Sequence, residues 1–229
     1  MMNEFQSVMF FMLSLLATST LNANELSKWY LVNKVQGVSV YRMKETPQEN
    51  LLSVRVEGII SAPPEKVLWA INDLKNLSHW VIGLKSAQVY KIIGRNQFVM
   101  HNQFHFPFPF ADRDSIVKVH YYQDQSQGSI RMEAESWYHQ NLPKASGIRS
   151  YLHRGTTIVS PVGGGGMTNL VFETLVDLKG WIPHWLLNFL QKHYAAKSII
   201  LLRQYLKQEN TDQYPSFRKF PFYRFPGEK

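Results

Sequence analysis

His101 and His105 stand four residues apart, a spacing that on a strand puts both side chains on one face. Two imidazoles there would begin a metal site or an acid–base pair. A zinc site needs more ligands, and no third one stands nearby at a familiar spacing; the helical HExxH arrangement is absent. Isolated histidines are more often surface or core residues, so no metal or other cofactor is expected. The chain has no Cys, which excludes thiolate catalysis, disulfides and Cys-ligated zinc. No GxSxG elbow presents a serine, although a Ser/His/Asp triad assembled in space stays open. Gly163–Gly166 is followed by Met167 and a strand-like run. A phosphate cradle wants a helix start with Lys and Ser/Thr at set positions, so this run reads as a hairpin turn.

Two oily stretches stand out instead. In "HFPFPFADRD" (105–114) three Phe alternate with two Pro. Proline cannot donate to a ladder, so the stretch is a loop or a sheet edge that covers the core or flanks a cavity mouth. Arg113 and Asp114 close it. An exposed pair would be worth little; an Arg113 turned inward needs a partner, which a lipid head group or a carboxylate would supply. In "LVDLKGWIPHWLLNFLQKH" (175–193) a strand breaks at Gly180, two Trp flank a Pro, and an apolar helix begins.

The elements that position these stretches follow from periodicity. "WYLVNKVQGVSVYRMKE" from Trp29 alternates across a Gly like a hairpin, and 51–61 is a long strand. "APPEKVLWAINDL" is a helix: Pro63 and Pro64 suit its first turn, Glu65 its positive end, and Val67, Ala70, Ile71 and Leu74 share a face. A short helix is expected through "LSHWVIGL". Strands are expected at 86–95, 97–105, 114–123, 129–137, 148–160 and 168–179, then a helix from about 184 to 208. Short connections imply an antiparallel meander, and the whole is one α+β domain. From Tyr194 to Leu202 the last helix is apolar nearly all round, so it must be covered on more than one side. A curved sheet can grip it, and a gap between the two makes a cavity.

The termini read differently. Val8 to Ala17 is an apolar run of signal-peptide length, too short to span a bilayer, and small residues follow it. Residues 1–23 are expected to be a signal peptide cleaved after Ala23, despite lacking Lys or Arg at the start. The protein would then be exported, and periplasmic in a Gram-negative cell. Without those residues the chain carries 25 bases against 16 acids, a formal charge of +9. The bases are scattered, so no nucleic acid is expected as a partner; an anionic membrane surface, met transiently, fits better. Residues 209–229 form an aromatic, basic tail with three Pro.

"RDSIVKV" after an irregular loop, and "GIRSYLHRGTTIVSPVGGGGMTNLVFETLVDLKGWIPHWLLNFL", resemble the StAR-related lipid-transfer (START) domain. "WYLVNKVQGVSVY" and "APPEKVLWAINDLKNLSHWV" fit its beginning, and the likeness spans roughly 25–208. It implies a START-like domain over 24–208 with the helix-grip fold, a curved antiparallel sheet wrapped around a long C-terminal helix. It also implies a monomer with an internal tunnel for a lipid or sterol-like ligand, transfer of that ligand between membranes, and no catalysis. The mobile lips would then be "FPFPFADRD" and "GWIPHW", with Phe106, Phe108, Phe110 and Trp181 at the gate. Strand parity turns Phe98, Met100, Asn102 and Phe104 inward, with Val117, Val119 and Tyr121 beside them and Ile130, Met132 and Ala134 next. Arg113, Trp185, Phe189, Ala196 and Ile200 complete the expected ligand-binding set. Sterol-binding members tend to keep an acid and a base deep in the tunnel; Asn102 and Val119 stand there instead, which weakens that polar anchor. The alternative is a helix-grip enzyme of aromatase/cyclase or hydrolase type, with His101, His105 or Tyr121 as acid or base. A membrane-surface module with a vestigial tunnel is a third reading.

Overall fold

The structure is a computed structural model that describes residues 28–44, 51–124 and 126–208. The expected signal peptide and the tail from Glu209 lie outside the described residues. The chain begins with a hairpin, β1 (Trp29–Val35) and β2 (Val38–Met43). Gln36 and Gly37 both have positive φ at its turn, the left-handed pair that a two-residue hairpin needs. After β3 (Leu51–Ile60) the helix α1 (Pro64–Asn72) crosses to the far edge of the sheet. Its buried side chains include Val67, Leu68 and Ala70. The expected helix over 77–84 shrinks to one 3-10 turn, Leu77–His79. Gly83, at φ 80°, turns the chain directly into β4 (Leu84–Gly94).

β5 (Gln97–Phe104), β6 (Arg113–Asp124) and β7 (Ser129–Ser136) then meander. The strand expected at 148–160 divides at Ser150. β8 (Ile148–Arg149) pairs in parallel with β6, while β9 (Tyr151–Val162) pairs with β7. β10 (Met167–Asp177) returns across Gly163–Gly165 and closes against β3 over ten paired positions. The path is β1-β2-β3-β10-β9-β7-β6-β5-β4, with β8 beside β6.

One face of this sheet is largely apolar. Val38 and Val40, Val54 and Val56, Leu170, Val159, Ile130 and Met132, Val117 to Tyr121 and Phe98 form one buried cluster with α1 and the C-terminal helix. That is the helix-grip arrangement: strands from both arms bury their inward side chains on a single helix. The helix has three parts, α2 (His184–Phe189), a π turn (Leu190–Tyr194) and α3 (Ala195–Gln208). Leu186, Leu187 and Leu190 point inward from the first half, and Ala196, Ile199, Leu202 and Leu206 from the second. At about 100° per residue these two stripes would diverge in a uniform α-helix. The wider π turn rotates less per residue and brings them back to one side.

The helix comes close to the sheet at Gly58. A Cβ there would lie 3.3 Å from Val38 Cγ2 and 3.4 Å from Ile199 Cγ2. A side chain there would push these neighbours back by a few tenths of an ångström.

Candidate functional site

Register fixes the concave wall. Phe98 pairs with Val119, Met100 with Val117, Asn102 with Ser115 and Phe104 with Arg113. Val119 continues to Ala134 and Tyr121 to Met132, and Met132 continues to Thr157 and Thr157 to Phe172. All ten strand residues expected from Phe98 to Ala134 therefore share the face that looks at the helix.

Their burial is graded. Phe98, Val117, Val119, Tyr121, Ile130 and Met132 are buried, and the Phe98 and Tyr121 rings stack with centroids 5.7 Å apart. Met100, Asn102 and Phe104 are only partly buried. So are Ala134, Thr157 and Phe172, which belong to the central strands β7, β9 and β10. A central strand cannot be reached from the sheet edge. Inward side chains there keep accessible surface where no other element covers them fully.

The helical residues split. Ala196 is buried and Ile200 is partly buried against the same core. Trp185 and Phe189 do not face the interior: they are 64% and 45% exposed, on the outer side of α2. Leu186, Leu187 and Leu190 take the inner side because they sit over Phe106, Leu178 and Ile182. Bulk pointed to the two aromatics, but helical phase turns them outward.

Polar groups on the wall are few. Tyr121 donates its hydroxyl to Asn72 Oδ1 at 2.6 Å, and Asn72 Nδ2 donates to the Leu68 carbonyl at 2.8 Å. Gln191, in the π turn, is 3% exposed, and sequence reading passed over it. A polar residue four after Leu187 and five after Leu186 was the available signal. His101 lies on the opposite face, where its Nε2 is 3.0 Å from Asp114 Oδ2. His105, just beyond the strand, places Nδ1 3.0 Å from Asp112 Oδ1.

Two loops close the open end. In the first, 105–112, Asp112 is the organiser. Its Oδ1 accepts from the Phe106 amide at 3.1 Å, and its Oδ2 accepts from Lys85 Nζ at 2.7 Å. The Lys85 hydrogen bond, then the Phe106 amide, hold the carboxyl down at about 2. Phe106 is buried with its ring 4.6 Å from the Arg113 guanidinium, so it packs the loop against the fold. Phe108 is 96% exposed and Trp181, in the second loop, 78%. Phe110 bridges them, with centroids 6.1 Å from Trp181 and 6.5 Å from Trp185.

Arg113 does turn inward, but its partners are backbone carbonyls. Nε donates to Leu178 O at 3.1 Å, Nη2 to Lys179 O at 2.9 Å and Nη1 to Ala111 O. The role expected for it, facing a ligand's head group, is replaced by stapling the two loops together. Burial lowers its pKa. Asp114, fully buried, receives Arg149 Nε at 3.2 Å and Nη2 at 2.6 Å. Burial pushes that carboxyl up, but the Arg149 and His101 hydrogen bonds outweigh it and hold it below the usual range.

Known proteins share this architecture. The chain is 25% identical over 169 residues to the phosphatidylcholine transfer protein of Bos taurus, covering 72% of this chain and 78% of that one. It is 22% identical over 183 residues to Rho GTPase-activating protein 7 of Mus musculus, spanning 80% of this chain but only 16% of that longer protein. The human StAR-related lipid transfer protein 5 structure superposes with a TM-score of 0.69 at 21% identity, covering 89% of this chain and 94% of that one. The START domain family matches residues 14–210, beginning inside the segment read as a signal peptide. With the match spanning most of its length and the helix gripped as described, this chain belongs to the START domain family.

Proposed function

We propose that the chain binds a lipid or similarly hydrophobic molecule between the concave wall and the C-terminal helix, and carries it between membranes. One observation bears most of the weight. Ala134, Thr157 and Phe172 keep accessible surface in the middle of the sheet, on the same face as the buried cluster. An apolar wall with room over it lowers the free energy of a lipid tail by about 0.8 kcal/mol per CH₂ withdrawn from water. Membership of the START family and the likeness to a phosphatidylcholine transfer protein support the same reading.

Docking follows from the loops. Phe108, Trp181 and Trp185 present rings to solvent beside the open end, where aromatic side chains partition into a bilayer interface. The formal charge of +8 draws such a surface toward anionic lipid. Export through the apolar run Val8–Ala17 belongs to this proposal, and a mature chain starting at Asn24 is its signature.

The test is direct. Full-length protein recovered from its host is examined by native mass spectrometry and solvent extraction, then offered vesicles of mixed lipid. Bound lipid, or lipid moved from donor to acceptor vesicles, is expected. Protein that carries none and takes up none overturns the proposal.

A further inference from the structure

Charge is almost missing from the concave wall. Among the described residues of β2 to β7, β9 and β10, two arginines share the inward parity. Arg42, at the end of β2, donates Nη1 to Asn188 Oδ1 at 3.3 Å. Arg113 is occupied by the carbonyls of Ala111, Leu178 and Lys179. Arg113 is thus spent, Arg42 lies at the exposed end of β2, and no inward carboxylate stands on those strands. A phosphate or carboxylate drawn deep along these strands, past Arg42, would meet no uncommitted counter-charge from the sheet, which is costly in a dry interior.

Uncharged hydrogen-bonding groups are present and unspent. Ser115 is 7% exposed and Gln191 3% exposed, and neither side chain bonds to another described residue. Asn102 pairs with Ser115 across β5 and β6, is partly buried, and is likewise unbonded. Asn102 and Ser115 stand on one arm of the grip. Gln191 stands on the helix, whose π turn lies against β2 and β3 on the other arm. Buried amides and hydroxyls gain most from a partner that both donates and accepts.

We infer that the chain selects an uncharged amphiphile whose polar end carries hydroxyl or amide groups, and discriminates against lipids bearing phosphate or carboxylate. This rests on the lipid-binding reading given above. Ser115, Asn102 and Gln191 are the residues that recognise the polar end. The apolar tail lies along Phe98, Val119 and Met132.

Full-length protein is incubated with vesicles holding equimolar phosphatidylcholine, phosphatidylglycerol, palmitic acid, diacylglycerol and ceramide. It is then re-isolated, extracted and quantified by mass spectrometry. Diacylglycerol or ceramide is expected at about tenfold or more over each charged lipid. Gln191→Leu and Ser115→Ala are each expected to shrink that preference about three- to tenfold, the worth of one hydrogen bond, while a cooperative melting transition shows that the fold is retained. Equal or greater recovery of a charged lipid overturns the inference and leaves lipid binding standing, as does a preference that neither variant alters. Failure to recover any lipid removes the binding reading and this inference with it.

Discussion

Arg113 Nε donates to the Leu178 carbonyl at 3.1 Å, across 65 residues of chain. With Nη2 on Lys179, one side chain joins the start of β6 to the loop that leads into the C-terminal helix. The loop 105–112 ends beside it, with Phe106 over the guanidinium.

Replacing Arg113 by Met should therefore loosen both loops together. It leaves three carbonyls without this donor, that of buried Leu178 among them, and is expected to cost about 2–4 kcal/mol. Hydrogen exchange should accelerate in residues 105–112 and 178–183 alike. Acceleration in one loop alone would show that they are not coupled.

Asp112 gives the first loop an acid limit. Its carboxyl titrates at about 2, below its ordinary 3.8. A depressed carboxylate contributes stability at pH above the ordinary value and loses it as pH falls through the depressed one. Exchange protection at the Phe106 amide should persist down to about pH 4 and vanish toward pH 2. In Asp112→Asn the protection should be weaker at neutral pH and flat through that range.

Gly147 should not tolerate a side chain. A Cβ there would fall 2.3 Å from the Asp112 carbonyl oxygen, and the adjoining Ile148 amide bonds that same oxygen at 3.0 Å. Gly147→Ala is expected to destabilise the fold by about 1–3 kcal/mol in urea titration. Gly94→Ala, with nothing within 4 Å, is the comparison and should change little.

Trp181 and Trp185 are expected to matter for membranes and not for stability. Both are mostly exposed, so alanine at either should shift unfolding by no more than about 0.5 kcal/mol. The double variant should lower association with anionic vesicles several-fold in a sedimentation assay. Unchanged association would remove the docking surface from the proposal.

Much of the architecture was legible because strands carry a period of two. Once β5 and β6 were recognised, the inward parity of Phe98 to Phe104 and Val117 to Tyr121 followed, and the register agrees. α1 announced itself through Pro64 and Glu65. What escaped were features decided by distant chain. The break at Ser150 exists because its amide and hydroxyl both bond the Asp114 carbonyl, at 2.9 and 3.0 Å, which no local pattern reveals. Arg113 could be seen to need a partner, but not that the partners would be Leu178 and Lys179. Trp185, Phe189 and Gln191 were misjudged or missed for one reason: residue type foretells facing only when the helical pitch is known, and this helix changes pitch midway.

That change of pitch has a genetic corollary. The turn Leu190–Tyr194 is the equivalent of one residue inserted into an otherwise regular helix. Deleting a single residue there would restore ordinary winding and leave Leu186 and Ile199 still facing the same way. A deletion beyond Ile199 would instead turn Leu202 and Leu206 by about 100° relative to Ile199. Tolerance of length variation along this segment should thus be confined to the stretch between Leu186 and Ile199, and a shortened but folded chain would separate what the core demands from what the extra residue contributes.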